Sequence, residues 1–281
     1  MATGELAIVS GGVLFQRLFY AWLIIIGLLC WPIIDITFGQ GSYTYRSAMP
    51  PSLRYNLIYI LTYRPELYKV IYGVFLSGSL LAFLNLGGVV VRGVVWVTLV
   101  MLGMSAFMVF NAGMMLAFSY AFFLMFFFPK LNKDWKIMSS NFSILGLRIQ
   151  FLIVYVFAAL YKWFEADWVN GDAVHFLTML DHFTPEWLFS ALQRMPAVLT
   201  IMNYVVLFYI TLFPLLIWFR KVKPILFIVG SGFHLYTILF MNLFDFGSIM
   251  IMSYLLFIPK EWVDYIKSKL PNRKRSVQES K

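Results

Sequence analysis

The sequence predicts an all-α integral membrane protein with about eight transmembrane helices and short helices on the outer face. Three observations predict it. The chain is 61% hydrophobic and 12% charged over 281 residues, whereas a soluble domain averages roughly 45–50% apolar and about 25% charged. Its apolar residues fall in long runs, and roughly 20 such residues cross about 30 Å of hydrocarbon. Its basic residues cluster in alternate loops of the C-terminal half, the pattern that orients membrane helices.

The spans are expected near 18–36, 67–87, 93–110, 113–128, 145–163, 197–219, 224–241 and 246–258. The N-terminus lacks the basic region and small-residue cleavage site of a secretory signal, so the first span is expected to stay as an uncleaved anchor. No charged residue lies between Arg92 and Lys130. One straight helix of that length would reach about 55 Å, so the chain must turn, and Asn111-Ala112-Gly113 is the best turn signal. The same reasoning places a break at Asn242-Leu-Phe-Asp-Phe-Gly247, between Lys223 and Lys260.

Orientation follows from charge. Lys130, Lys133, Lys136 and Arg148 form one basic loop, and Arg220, Lys221 and Lys223 the next. Lys260 and the residues after it form a third. Two spans separate each from the next, which puts all three, and both termini, on the cytoplasmic side. The segment 165–196 then faces out and is acidic, with Glu165, Asp167, Asp172, Asp181 and Glu186 against Arg194. The segment 37–66 runs against this charge rule, since it is expected outside and carries Arg46, Arg54 and Arg64. Its apolar piece 53–63 is too short to span and is read as lying along the interface. On the outer segment, Gly171-Asp172 predicts the cap of a short helix running to about Phe183. Thr184-Pro185-Glu186 predicts the start of a second. Residues 1–270 read as one membrane domain and 271–281 as a basic, disordered tail at the lipid surface.

Composition also excludes functions. The net charge of +9 is a topology signal and an attraction to anionic lipid, not a nucleic-acid footprint. The single cysteine, Cys30, rules out an internal disulfide and any cysteine-rich metal site. No internal repeat, Gly-rich phosphate loop or nucleophile elbow is visible, so neither an inverted-repeat transporter nor those enzyme classes gain support.

The residue most suggestive of chemistry is Lys162, which ends an uncharged run from Ile149 to Tyr161. An ionisable group in hydrocarbon costs at least about 2.5–3.5 kcal/mol, and such residues default to function. Desolvation favours a neutral amine, and a neutral lysine in an apolar pocket is a general base toward a weak acid such as a phenol or quinol. The alternative is that Lys162 snorkels to the outer headgroups, or pairs with Glu165 or Asp167. His234 lies inside a span and can shuttle a proton or donate to an oxyanion, or it is a buried histidine satisfied by a neighbouring Tyr or Asn. His175 and His182 lie about 10.5 Å apart along one helix face. That is too far to share a metal, so both read as interfacial surface histidines and no metal site is expected. Asn111, Asn242 and Asp245 sit at outer turns and can also line an outer pocket. Arg17, Asp35 and Arg148 read as span-end anchors, and Tyr161, Trp168 and Trp187 as members of an outer aromatic belt.

Ile153-Val-Tyr-Val-Phe-Ala-Ala-Leu-Tyr-Lys162, followed by Ala166-Asp-Trp-Val-Asn-Gly171, resembles the vitamin K-dependent gamma-carboxylase family. There, a span ending in lysine runs into Ala-Asp-Trp-Val-x-Gly. Phe233-His234 and the later Asn242-Leu-Phe-Asp-Phe-Gly247 resemble a second family pattern, Phe-His followed by Asn-Ser-Gln-Leu-Phe-Ser-Ile-Gly. The resemblance covers nearly the whole chain and implies the HTTM fold, the membrane domain of the carboxylases and their bacterial relatives. It implies a bacterial inner-membrane protein using vitamin K hydroquinone or a menaquinol-like quinone. Lys162 and His234 are then the catalytic candidates. Tyr155, Tyr161, Trp168, Gly171, Asn111, Asn242 and Asp245 complete the candidate pocket. The family has two adjacent lysines where this chain has Lys162-Trp163, and Asn-His where it has Asn111-Ala112. Bacterial proteins with this membrane domain alone suggest a second function, maturation of a small secreted peptide or toxin with a partner protein. A third is a non-enzymatic binder or transporter of quinone or lipid.

Overall fold

The computed structural model describes residues 2–38, 64–106, 111–180, 183–259 and 261–262. Every element among them is helical. The interfacial reading of 53–63, the end of the third stretch at 107–110, His182 and the tail 271–281 lie outside the described residues.

The elements are α1 (Ala2–Cys30), α2 (Ile34–Phe38), α3 (Tyr68–Phe83), α4 (Gly88–Ser105), α5 (Ala112–Met125) and α6 (Asp134–Phe164). Three short helices follow in the segment 165–196: α7 (Ala166–Asn170), α8 (Ala173–Thr178) and α9 (Glu186–Leu192). The chain closes with α10 (Pro196–Leu216), α11 (Lys223–Leu239) and α12 (Phe244–Ser253), the last continued by a 3-10 turn, Tyr254–Phe257. Among the described residues four helices are long and apolar enough to cross a membrane: Gly11–Phe38, Gly88–Ser105, Asp134–Phe164 and Pro196–Leu216. Four more are apolar but shorter: Tyr68–Phe83, Ala112–Met125, Lys223–Leu239 and Phe244–Phe257. α6 spans about 46 Å at 1.5 Å per residue, whereas α5 covers only about 21 Å. Trp135, Met138, Phe142, Leu145, Ile149 and Ile153 are exposed on α6. They recur every three or four residues, which makes one continuous apolar stripe suited to lipid.

Each break carries its expected asparagine, but the second is earlier than the expected 242–247, because α12 already begins at Phe244. Asn111 adopts extended backbone, and its Oδ1 accepts from the amides of Gly113 and Met114, capping α5. The second break is residues 240–243, with Asn242 at a positive φ of 54°. The outer segment holds three short helices rather than two. The first of the two expected there ends at Thr178 rather than near Phe183.

α3, α4, α5, α6 and α10 pack in sequence, each on the next, while α11 packs on α12, and α12 on α5 and α1. α10 and α11 are consecutive, yet they do not pack along their lengths. Glycines permit the closest approaches. A Cβ on Gly113 would lie 2.7 Å from the backbone of Phe246. Aromatic rings fill the centre, where Tyr155 stacks on Phe213 at 4.1 Å and Phe151 sets its edge on Tyr254.

Carbonyls at helix C-termini meet cations. Arg92, 3% exposed, donates to the carbonyls of Leu124 and Phe127 and to Asn85 Oδ1, which also accepts from Gln16 Nε2 at 2.8 Å. Arg148 Nε donates to Leu256 O at 2.8 Å, and Lys223 Nζ to Phe257 O at 2.9 Å. Each cation faces the negative end of a helix dipole and supplies donors that hydrocarbon cannot.

Arg92→Met keeps an apolar stem but strands the Phe127 carbonyl and takes one donor each from Leu124 O and Asn85 Oδ1, which keep their other partners. It is expected to lower the unfolding free energy by about 2–3 kcal/mol, read by SDS titration in micelles. Arg92→Lys should lose less than Met does.

Candidate functional site

The site is built where α6 stops. Glu165 leaves helical backbone with ψ 122°, and α7 makes a single turn. Gly171 then ends it in the left-handed region at φ 93°, with the amides of Gly171 and Asp172 both donating to Asp167 O. A side chain at 171 would be strained and would crowd Thr200 and Tyr204. This reversal brings the Trp168 ring beneath Lys162, whose Nζ lies 4.4 Å from the ring centroid. Such a cation–π contact contributes about 0.5–2 kcal/mol. Among the described residues Lys162 forms no ion pair, so neither Glu165 nor Asp167 claims it.

α10 holds the reversal in place. Asn203 Nδ2 donates to Trp168 O at 2.8 Å, its Oδ1 accepts from Val174 N at 3.4 Å, and Tyr204 OH donates to Val169 O at 2.9 Å. Asn203 is fully buried and was not singled out from sequence. Its signal was an amide inside an otherwise apolar helix.

Under this cap lies a cavity of about 860 Å³, within the roughly 300–1,000 Å³ of ligand pockets. Lys162, Trp168, Phe176, Phe183 and Thr184 form its outer end. Leu199 to Tyr209 of α10 form one wall, about 15 Å deep by helix rise. Val229, Gly232, Phe233 and Tyr236 of α11 form another, and Phe246 of α12 contributes a ring. Val205 is 53% exposed and Val229 40%, so the cavity lies open along the gap between α10 and α11. Lys162 is the only cationic side chain among the described residues that line it, and Glu165 and Asp167 share its rim.

The other expected site residues lie outside the lining of the cavity. His234 is 1% exposed, and its ring lies directly behind two cavity-lining rings, Phe233 at 5.2 Å and Phe246 at 5.6 Å. Its Nε2 is 3.2 Å from Tyr155 OH, while Nδ1 is buried without a partner. Asn111 and Asp245 meet each other, Nδ2 to Oδ2 at 2.5 Å, joining the two outer turns rather than lining the cavity. Tyr161 is 70% exposed, Gly171 is the α7 cap, and Asn242 is a turn residue. His175 sits in α8 with its ring against Phe176. Trp163 turns to α10, where Nε1 donates to Thr211 Oγ1 at 2.9 Å. Of the Lys162-Trp163 pair, only Lys162 reaches the cavity.

Comparison with protein-family models, curated proteins and solved structures found no match.

Asn111→Ala removes a helix cap and the Asp245 contact. It is expected to cost about 1–2 kcal/mol, read by thermal unfolding in detergent, while ligand occupancy of the cavity stays unchanged.

Proposed function

We propose that the chain is an eight-span membrane enzyme of HTTM type that resembles the vitamin K-dependent gamma-carboxylases. In this reading it acts on a quinol at the outer side of the bundle, with Lys162 as the base. The observation that carries the reading is Lys162 in the wall of an apolar cavity, held over Trp168 and paired with no carboxylate.

The residues present suit such a ligand. The cavity is long, aliphatic and aromatic, which fits a ring with an isoprenoid tail. One amine and two carboxylates at the rim disfavour an anionic head and favour a neutral weak acid. A quinol, when bound, supplies an acidic phenolic hydroxyl and a reducing ring. Lys162 accepts the hydroxyl proton, Trp168 fixes the amine, and the capping helices limit water above it. The apolar helices of the first five and last three stretches, with cations gathered at α5 and α12 C-termini, support eight spans with both termini in the cytoplasm of a bacterial cell.

Topology is testable in a Cys30→Ser background. Trp187→Cys should react with an impermeant maleimide on intact cells, and Lys221→Cys only after permeabilisation. The reverse pattern sinks the orientation.

For the chemistry, protein purified from native membranes should carry a quinone by mass spectrometry and oxidise added hydroquinone to quinone with dissolved oxygen as the two-electron acceptor. Lys162→Ala should insert normally and lose roughly a hundred- to ten-thousand-fold in rate. Lys162→Arg should not rescue it, because arginine stays charged. Binding intact and rate unchanged in Lys162→Met would point to a non-enzymatic binder. No quinone and no oxidation would favour peptide maturation with a partner.

A further inference from the structure

Three buried side chains, His234, Tyr155 and Tyr254, and the half-buried Tyr209 form one hydrogen-bonded chain behind the cavity. His234 Nε2 meets Tyr155 OH at 3.2 Å, Tyr155 OH meets Tyr254 OH at 2.9 Å, and Tyr254 OH meets Tyr209 OH at 3.3 Å. Tyr209 OH then donates to the backbone carbonyl of Leu226 at 2.9 Å. Gly230 makes room for it: a Cβ there would lie 2.0 Å from Tyr254 OH and 2.1 Å from Tyr209 OH.

Counting protons fixes the direction of the chain. Each phenol owns one proton. Tyr209 gives its proton to Leu226 O, so the Tyr254–Tyr209 contact must carry the Tyr254 proton. The Tyr155–Tyr254 contact then carries the Tyr155 proton, and Tyr155 must receive from His234 Nε2–H. Any other arrangement leaves a contact with no hydrogen in it. His234 therefore carries a proton on Nε2, and Nδ1 is the ring atom left without a partner. Because the chain ends on a carbonyl, it orients protons and does not conduct them.

The last phenol lines the cavity. Its proton can leave Leu226 O for a ligand oxygen with no change upstream, since Tyr254 still donates to it. We propose that Tyr209 is a second polar anchor of the cavity, donating to an acceptor oxygen of the ligand, with Tyr254, Tyr155 and His234 as positioning residues. The ligand class is then a ring bearing two oxygens, one met by Lys162 and the other by Tyr209. This rests on the quinol reading for the ligand, and the tautomer of His234 does not.

The test has two arms. Equilibrium dialysis compares menadione, with two ring carbonyls, against α-tetralone, with one. Wild type should hold menadione roughly tenfold tighter, the worth of about one hydrogen bond. Tyr209→Phe should erase that ratio while keeping α-tetralone affinity, and Tyr254→Phe should reduce it. The second arm is nitrogen-15 NMR of His234 in a His175→Gln, His182→Gln background. The proton should sit on Nε2 in wild type, and Tyr254→Phe should mix the tautomers. A ratio that survives Tyr209→Phe overturns the anchor, and a wild-type proton on Nδ1 overturns the chain. If neither probe binds wild type, the ligand reading falls with the proposed function, while the NMR arm still decides the chain.

Discussion

A helix that ends inside or beside hydrocarbon leaves carbonyls that water cannot reach, and the bundle is arranged around that constraint. Arg92 answers it for α5, and Arg148 and Lys223 for the turn after α12. Each of these contacts also ties two helices: α4 to α5, α6 to the end of α12, and α11 to the same end. Arg92, Arg148 and Lys223 thus lock helices together as well as satisfying their ends. The opposite end is satisfied by neutral amides and carboxylates. Asn111 caps α5 and meets Asp245, while Asn203 serves Trp168 and Val174.

The cavity follows from how α10 is held. Its outer part is fastened to the α7–α8 reversal through Asn203 and Tyr204, and its deeper part to α11 through Tyr209. Between those fastenings α10 and α11 have no zipper of small residues to draw them together, and the space stays open. Trp168 belongs to both parts of the design. Its backbone carbonyl is fixed by Asn203, and its ring carries Lys162. The position of the amine therefore depends on a buried asparagine that never touches it.

Much of the helix layout was legible because it rests on run length and turn chemistry. An uncharged stretch too long for one helix must break, and asparagines at 111 and 242 marked both breaks. Lys162 was legible for a similar reason, being one amine in an apolar run. Whether a carboxylate would claim it was not, since that depends on the left-handed turn at Gly171, which swings Trp168 in instead. The tyrosine chain gave no signal. Tyr155 and Tyr254 are 99 residues apart, and phenols in a chain that is 19% aromatic look alike until packing brings their oxygens together. Gly230 was hidden for the same reason, since the groups it makes room for come from α10 and the end of α12.

The gap between α10 and α11 changes what concentration means for this protein. Val205 and Val229 face it from the middle turns of their helices, a level that the proposed eight-span arrangement sets among acyl chains rather than water. A molecule dissolved in the bilayer meets that opening from the side, at its density in lipid. The bilayer is then the solvent from which the cavity fills. Occupancy tracks mole fraction in the membrane, so diluting a ligand with extra lipid empties the cavity even when the total amount of ligand and protein is unchanged.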